Sequence, residues 1–161
     1  MAKRRKEENF APRILNRKAR YDYHIHESME CGLRLRGTEV KAIRQGQVSL
    51  AEAFARVEPE TGELWLYNMD VGSYSHAPAD TQHGAKDKRK LLARRKQIKE
   101  LASKTTEKGY TLVPLTLYFN DRGFAKVELG IASGKGQADK RATIKKKEHD
   151  RDIRRALGRR R

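Results

Sequence analysis

The spacing of apolar and polar positions changes several times along the 161 residues, and each change predicts an element. Residues 1–15 have no period and read as a flexible basic arm. From Tyr21 the chain alternates, with Tyr21, Tyr23 and Ile25 on one side and Asp22, His24 and His26 on the other. That spacing predicts a strand with one buried face. Cys31-Gly32 reads as a break, after which Leu33 and Leu35 alternate with Arg34 and Arg36 in a second strand closed by Gly37. Thr38 then suits the N-cap of a short helix from Glu39 to Gln45, with Val40 and Ile43 facing inward and Gly46 as the stop.

Two hairpins follow from turn chemistry. Phe54 to Val57 and Leu64 to Tyr67 flank Pro59-Glu60-Thr61-Gly62, while Tyr110 to Phe119 and Phe124 to Ile131 flank Asn120-Asp121-Arg122-Gly123. Between the hairpins, residues 72–87 read as a long loop. Lys88 to Lys104 has a helical stripe of Leu91, Ile98, Leu101 and Ala102. Leu92 lies off that stripe, among Lys88, Arg95, Lys96 and Lys99. About six short strands with turns between them and one long helix predict a mainly β fold, a small antiparallel barrel with packed helices. Residues 16–132 would form that domain. Residues 133–161 begin with Ser133-Gly134-Lys135-Gly136 and continue in helix formers without an apolar stripe, since Ile144 and Ile153 fall on opposite faces. A basic tail of this kind is expected to be disordered alone and helical on a partner.

Charge sharpens the picture. Residues 1–20 hold 8 Lys/Arg against 2 Asp/Glu, residues 86–108 hold 10 against 3, and residues 133–161 hold 12 against 4. These segments together carry +21, so the rest of a chain of net charge +16 is mildly acidic, at −5. Concentrated cations select a polyanion, because neutralising phosphates releases condensed counterions. Nucleic acid is the expected partner. No stretch approaches the roughly 20 apolar residues that cross a bilayer, and no hydrophobic run follows the basic start, so neither a membrane partner nor a secretory leader is expected. The single cysteine, Cys31, excludes an internal disulfide and suits a reducing, cytoplasmic setting.

Catalytic chemistry finds no support. The histidines at 24, 26, 76, 83 and 149 lack metal spacing, although His24 and His26 share a strand face. Nothing brings Glu30 and Glu39 together as an acid/base pair, Gly134-Lys135-Gly136 lacks a phosphate-loop pattern, and Cys31 has no activating neighbour. No enzyme activity, metal or cofactor is expected. On the Leu92 helix, the mixture of apolar and basic positions suits a phosphate-contacting surface better than base readout.

A run of motifs then resembles the SsrA-binding protein (SmpB) family. It opens with Asn16-Arg17-Lys18-Ala19-Arg20-Tyr21-Asp22-Tyr23 and continues with Glu30-Cys31-Gly32-Leu33 and Leu35-Arg36-Gly37-Thr38-Glu39-Val40-Lys41-Ala42-Ile43-Arg44. Arg89-Lys90-Leu91-Leu92, Lys108-Gly109-Tyr110-Thr111-Leu112-Val113-Pro114-Leu115, Gly123-Phe124-Ala125-Lys126-Val127 and Asp139-Lys140-Arg141 follow in order. The resemblance implies an oligonucleotide-binding-like (OB-like) barrel that holds the tRNA-like domain of transfer-messenger RNA (tmRNA). It implies delivery of that RNA to stalled ribosomes, with the tail helical in the empty mRNA channel near the decoding centre. By position it implies RNA contacts at Asn16, Glu30, Leu92 and Lys126, with Arg17, Arg20, Lys41 and Arg44 as phosphate contacts beside them. Asp139, Lys140 and Arg141, with Lys145, Lys146 and Lys147, would form the ribosome-binding tail. Many relatives carry an aromatic residue or His before Asp-Lys-Arg, where Ala138 stands here, and often His where Tyr21 stands. A monomer is expected. The alternative is a small basic ribosomal or ribosome-assembly protein held on rRNA.

Overall fold

A computed structural model describes residues 11–158. Residues 1–10 and 159–161, and with them most of the expected arm, lie outside the described residues. The elements are β1 (Ile14–Leu15), α1 (Arg17–Asp22), β2 (Tyr23–Leu33), α2 (Gly37–Arg44), β3 (Val48–Ser49), β4 (Phe54–Val57), β5 (Leu64–Tyr67), β6 (Asp70–Val71), β7 (Arg89–Leu92), α3 (Arg95–Glu107), β8 (Thr111–Phe119), β9 (Ala125–Gly134) and α4 (Gln137–Gly158).

Six antiparallel strands close on themselves. The order β8-β4-β5-β7-β2-β9 returns to β8 through the β8–β9 hairpin, and β1 adds to the outside of β8. Closure leaves each of the six strands with a paired neighbour on both sides. Side-chain alternation then gives an inside and an outside. Val127, Leu129 and Ile131 of β9 point inward, joining Leu33, Leu64, Leu66, Leu91, Leu112 and Leu117 in one core. Helix α2 seals part of that core with Ala42 and Ile43, both fully buried, and Gly46 (φ +77°) stops the chain beyond the helix as expected. Helix α3 contributes Leu101. A second, smaller cluster of Ala19, Val113, Leu115 and Ala132 lies on the outside of β8 and β9, beneath α1.

Both expected hairpins form, Phe54–Val57 against Leu64–Tyr67 and β8 against β9. Several expectations are corrected. Residues 17–22 are helical rather than extended from Tyr21, because Asn16 caps them: its Oδ1 accepts from the Ala19 amide at 3.1 Å. Cys31-Gly32 does not break β2, which runs unbroken to Leu33 with a bulge between Ile25 and Glu27, so Leu33 and Leu35 open no second strand, and α2 starts at Gly37 with Arg36 rather than Thr38 at its N-cap. The helix expected from Lys88 begins only at Arg95, and Arg89–Leu92 is strand β7, paired with both β5 and β2. Tertiary pairing overrides the helical preference of Lys, Arg and Leu there. Within the tail, Gln137–Gly158 form a single 22-residue helix with no buried residue.

Candidate nucleic-acid interface

Register across the ring assembles the outer face. Leu92 of β7 stands opposite Gly32 of β2, Gly32 opposite Lys126 of β9, and Lys126 opposite Tyr118 of β8. Directly opposed residues in antiparallel strands share a face, so these four form a row across four strands. Glu30, two residues before Gly32, shares the face. Three candidates from distant parts of the chain, Glu30, Leu92 and Lys126, are thus brought together.

The row combines chemistries that a nucleotide can use. Leu92 is 50% exposed, an apolar residue open to solvent. Gly32 lets Leu92 pack closely over β2, since a Cβ there would sit only 3.2 Å from Leu92 Cβ. Lys126 Nζ is 3.4 Å from Glu30 Oε1, the Tyr118 hydroxyl donates to Glu30 Oε2, and the Arg13 guanidinium lies 5.3 Å from the Tyr118 ring centroid. Glu128 stands opposite Glu30, so the face is not uniformly basic. The face therefore offers shape and hydrogen-bonding groups as well as charge. Inward of the row, Cys31 is buried, and burial, reinforced by Glu30, raises its thiol pKa to about 11. It is a packing residue, not a nucleophile.

The other candidates surround this row. Asn16 is 4% exposed, and its amide donates to the carbonyls of Leu50 and Pro114, both at 2.9 Å. Both of its amide protons are thereby used, and its work is to fix α1 on the outer face. Arg17 and Arg20 project from α1 into solvent. On α2, Lys41 Nζ lies 5.1 Å from the Tyr74 ring centroid, and the Arg44 guanidinium lies 5.1 Å from that of Phe119, the neighbour of Tyr118. Phe119 packs against the core, on the opposite face of β8 from Tyr118, so Arg44 lies off the row, while Lys41 turns toward the 72–87 loop.

The tail is fastened by its first turn. Lys140 pairs with Asp22 at 3.1 Å and lies 5.7 Å from the Tyr21 ring centroid, and His24 Nε2 lies 3.2 Å from Asp139 Oδ2. Lys135 Nζ donates to the Arg20 carbonyl at 3.1 Å. Beyond that turn Arg141, Lys145, Lys146 and Lys147 are exposed. Two of the six tail candidates thus meet the ring domain and four do not.

Several functional details were not visible in the sequence pattern. Tyr118 and Gly32 reach the row only through register. Arg89, which the pattern placed on a charged helix, points inward and is 3% exposed. Its guanidinium donates to Glu39 at 2.7 Å and to the carbonyls of Met69, Asp87, Gly84 and Ala85. His83 adds a second tie between the 72–87 loop and α2, through Thr38 Oγ1 at 2.9 Å. His24 and His26 do not converge on a metal: His26 stacks on Tyr110 and contacts Ser133. Among the described residues no cluster of His, Cys, Asp and Glu has metal-site geometry, and no helix is long and apolar enough to cross a membrane.

Comparison with known proteins matches residues 13–159 to the family described as SmpB protein. The SsrA-binding protein of Carboxydothermus hydrogenoformans is 51% identical over 142 residues, covering 88% of this chain and 93% of its own. That of Corynebacterium diphtheriae is 47% identical over 161 residues, covering 99% and 96%. Among solved structures, a chain described by the words "tmRNA-SmpB: a journey to the center of the bacterial ribosome" superposes with a TM-score of 0.65. It is 46% identical and covers 79% of this chain and 87% of its own.

Proposed function

From the premise that this chain belongs to the SmpB family, we propose that it binds the tRNA-like domain of tmRNA and delivers it to stalled ribosomes for trans-translation. The six-stranded ring serves as the OB-like barrel of that task, and its outer face holds the RNA. Leu92 packs on an unstacked base or ribose, Lys126 neutralises phosphate, and Glu30 accepts hydrogen bonds from a base amino group or a ribose hydroxyl. Arg17, Arg20 and Arg44 extend the contact along the backbone, and Lys41 joins it from α2. The protein acts without catalysis, as a cytoplasmic monomer.

Helix α4 is the ribosome-facing device. Its exposed Arg141, Lys145, Lys146 and Lys147 meet rRNA in the vacant mRNA channel, while Asp139 and Lys140 set its direction from the ring. The single observation that carries the reading is the row Leu92–Gly32–Lys126–Tyr118 with Glu30 beside it, a mixed apolar and polar face on a paired, rigid sheet. The test compares two activities of a chain cut after Gly136. Binding to the tRNA-like domain should persist while tagging of stalled products disappears. Joint loss of both would contradict the division of labour.

A further inference from the structure

A cleft between the tip of the β4–β5 hairpin and helix α3 lies beyond the row described above. It encloses about 680 Å³, within the roughly 300–1,000 Å³ of small-ligand clefts. Helix α3 turns Arg95, Ile98, Lys99 and Ala102 toward it, the i, i+3, i+4, i+7 face of one helix. Ile98 and Ala102 supply its accessible apolar floor, above the fully buried Leu64 and Leu91, and Leu92 is a wall shared with the row.

The charges around this cleft are unevenly satisfied. Glu63 pairs with Lys90, and Glu58 accepts from Lys88 Nζ and the Tyr67 hydroxyl, each at 2.9 Å. The hydrogen bond from Lys88 is the main reason that the Glu58 carboxyl is held below its usual range. Arg95 and Lys99 are exposed and, among the described residues, take part in no ion pair. The cleft therefore offers an apolar floor, two neutralised carboxylates and two cations without a counter-charge. A purely apolar ligand leaves those cations unused, and an RNA duplex is too wide to enter. A nucleotide has an apolar base face and an anionic phosphate, so it uses both.

We propose that this cleft receives one unstacked nucleotide of the RNA held on the adjoining row. Its base lies on Leu92, Ile98 and Ala102, and its phosphate lies between Arg95 and Lys99. This assignment rests on the RNA-binding reading above, and continuity through Leu92 places the cleft beside that RNA.

The probe is the tRNA-like domain of tmRNA, transcribed in vitro. Ala102→Phe fills the cleft, and Arg95→Ala with Lys99→Ala removes two exposed charges without touching the core. Each variant should weaken binding about tenfold, the scale of one lost base-stacking contact. A photo-crosslinker at Thr61, on the cleft's rim, should label a single unpaired nucleotide. Deleting that nucleotide's base should weaken binding to the unaltered protein and add nothing to Ala102→Phe. Wild-type affinity in both variants, or crosslinks confined to paired RNA, overturns the proposal. The RNA-binding reading would still stand if Lys126→Ala weakened binding in the same assay. If the unaltered protein fails to bind the RNA, that reading falls and the cleft assignment falls with it.

Discussion

Glu39 with Arg89 and Glu30 with Lys126 are both carboxylate–cation pairs, yet they serve opposite ends. The first is buried, with side-chain exposures of 4% and 2%, and Arg89 also donates to four backbone carbonyls. The second lies on the outer face with Glu30 51% and Lys126 29% exposed, at a looser 3.4 Å. A buried pair that is fully hydrogen-bonded fixes the structure around it, and losing one partner strands a charge out of water. An exposed pair contributes little to folding and can exchange its partner for a ligand. Placement, not residue type, separates the two pairs.

Arg89→Ala should break the comparison from the structural side. It leaves Glu39 buried without its partner and should lower stability by about 3–5 kcal/mol, read by urea denaturation. A loss under 1 kcal/mol would mean that the buried pair does not organise α2 and the 72–87 loop. Asn16→Ala comes next. It removes an N-cap and leaves the Leu50 and Pro114 carbonyls without their donor, a cost of about 2 kcal/mol. RNA affinity measured well below the melting temperature should fall much less than stability does. The reverse order would make Asn16 a direct contact.

Glu30→Ala sharpens the functional side. It removes a negative charge from the proposed RNA-facing surface, so electrostatics alone predicts tighter binding. If Glu30 accepts a hydrogen bond from RNA, affinity should instead fall by about 1 kcal/mol, with the melting temperature unchanged. Tighter binding in a gel-shift titration would remove Glu30 from the contact set. The smallest effect is expected at Lys140→Ala, which loosens the first turn of α4 from Asp22. Global stability should move by less than about 0.5 kcal/mol, with faster amide exchange confined to residues 137–145. Uniform exchange along α4 would show that this turn does not anchor the tail.

Local rules carried much of the fold. Both hairpins were legible because alternation and turn residues lie within a dozen positions of one another, and Gly46 and Gly123 mark the stops. Ring closure was legible only as a strand count, since the pairing of β2 with both β7 and β9 joins segments about 60 and 100 residues apart. β7 was misread because Arg89 faces inward, which hides the period-two alternation of a strand behind a run of charges. Leu92 was recognised as an apolar residue in basic surroundings, but its place beside Gly32 and Lys126 depends on register. Asn16 illustrates the converse: the family resemblance implied an RNA contact, and only the fold shows its buried side chain hydrogen-bonded to three backbone groups. The tail's helix formers were visible, but the anchoring of its first turn to Tyr21, Asp22 and His24 was not.

The central claim is that the outer row, and Lys126 within it, serves RNA rather than the fold. A salt series of Lys126→Ala binding to the tRNA-like domain of tmRNA tests it most directly. The account predicts affinity lower by about 1–2 kcal/mol near physiological salt, a log–log salt slope shallower by about one, and unchanged thermal stability. Wild-type affinity with an unaltered slope would contradict it.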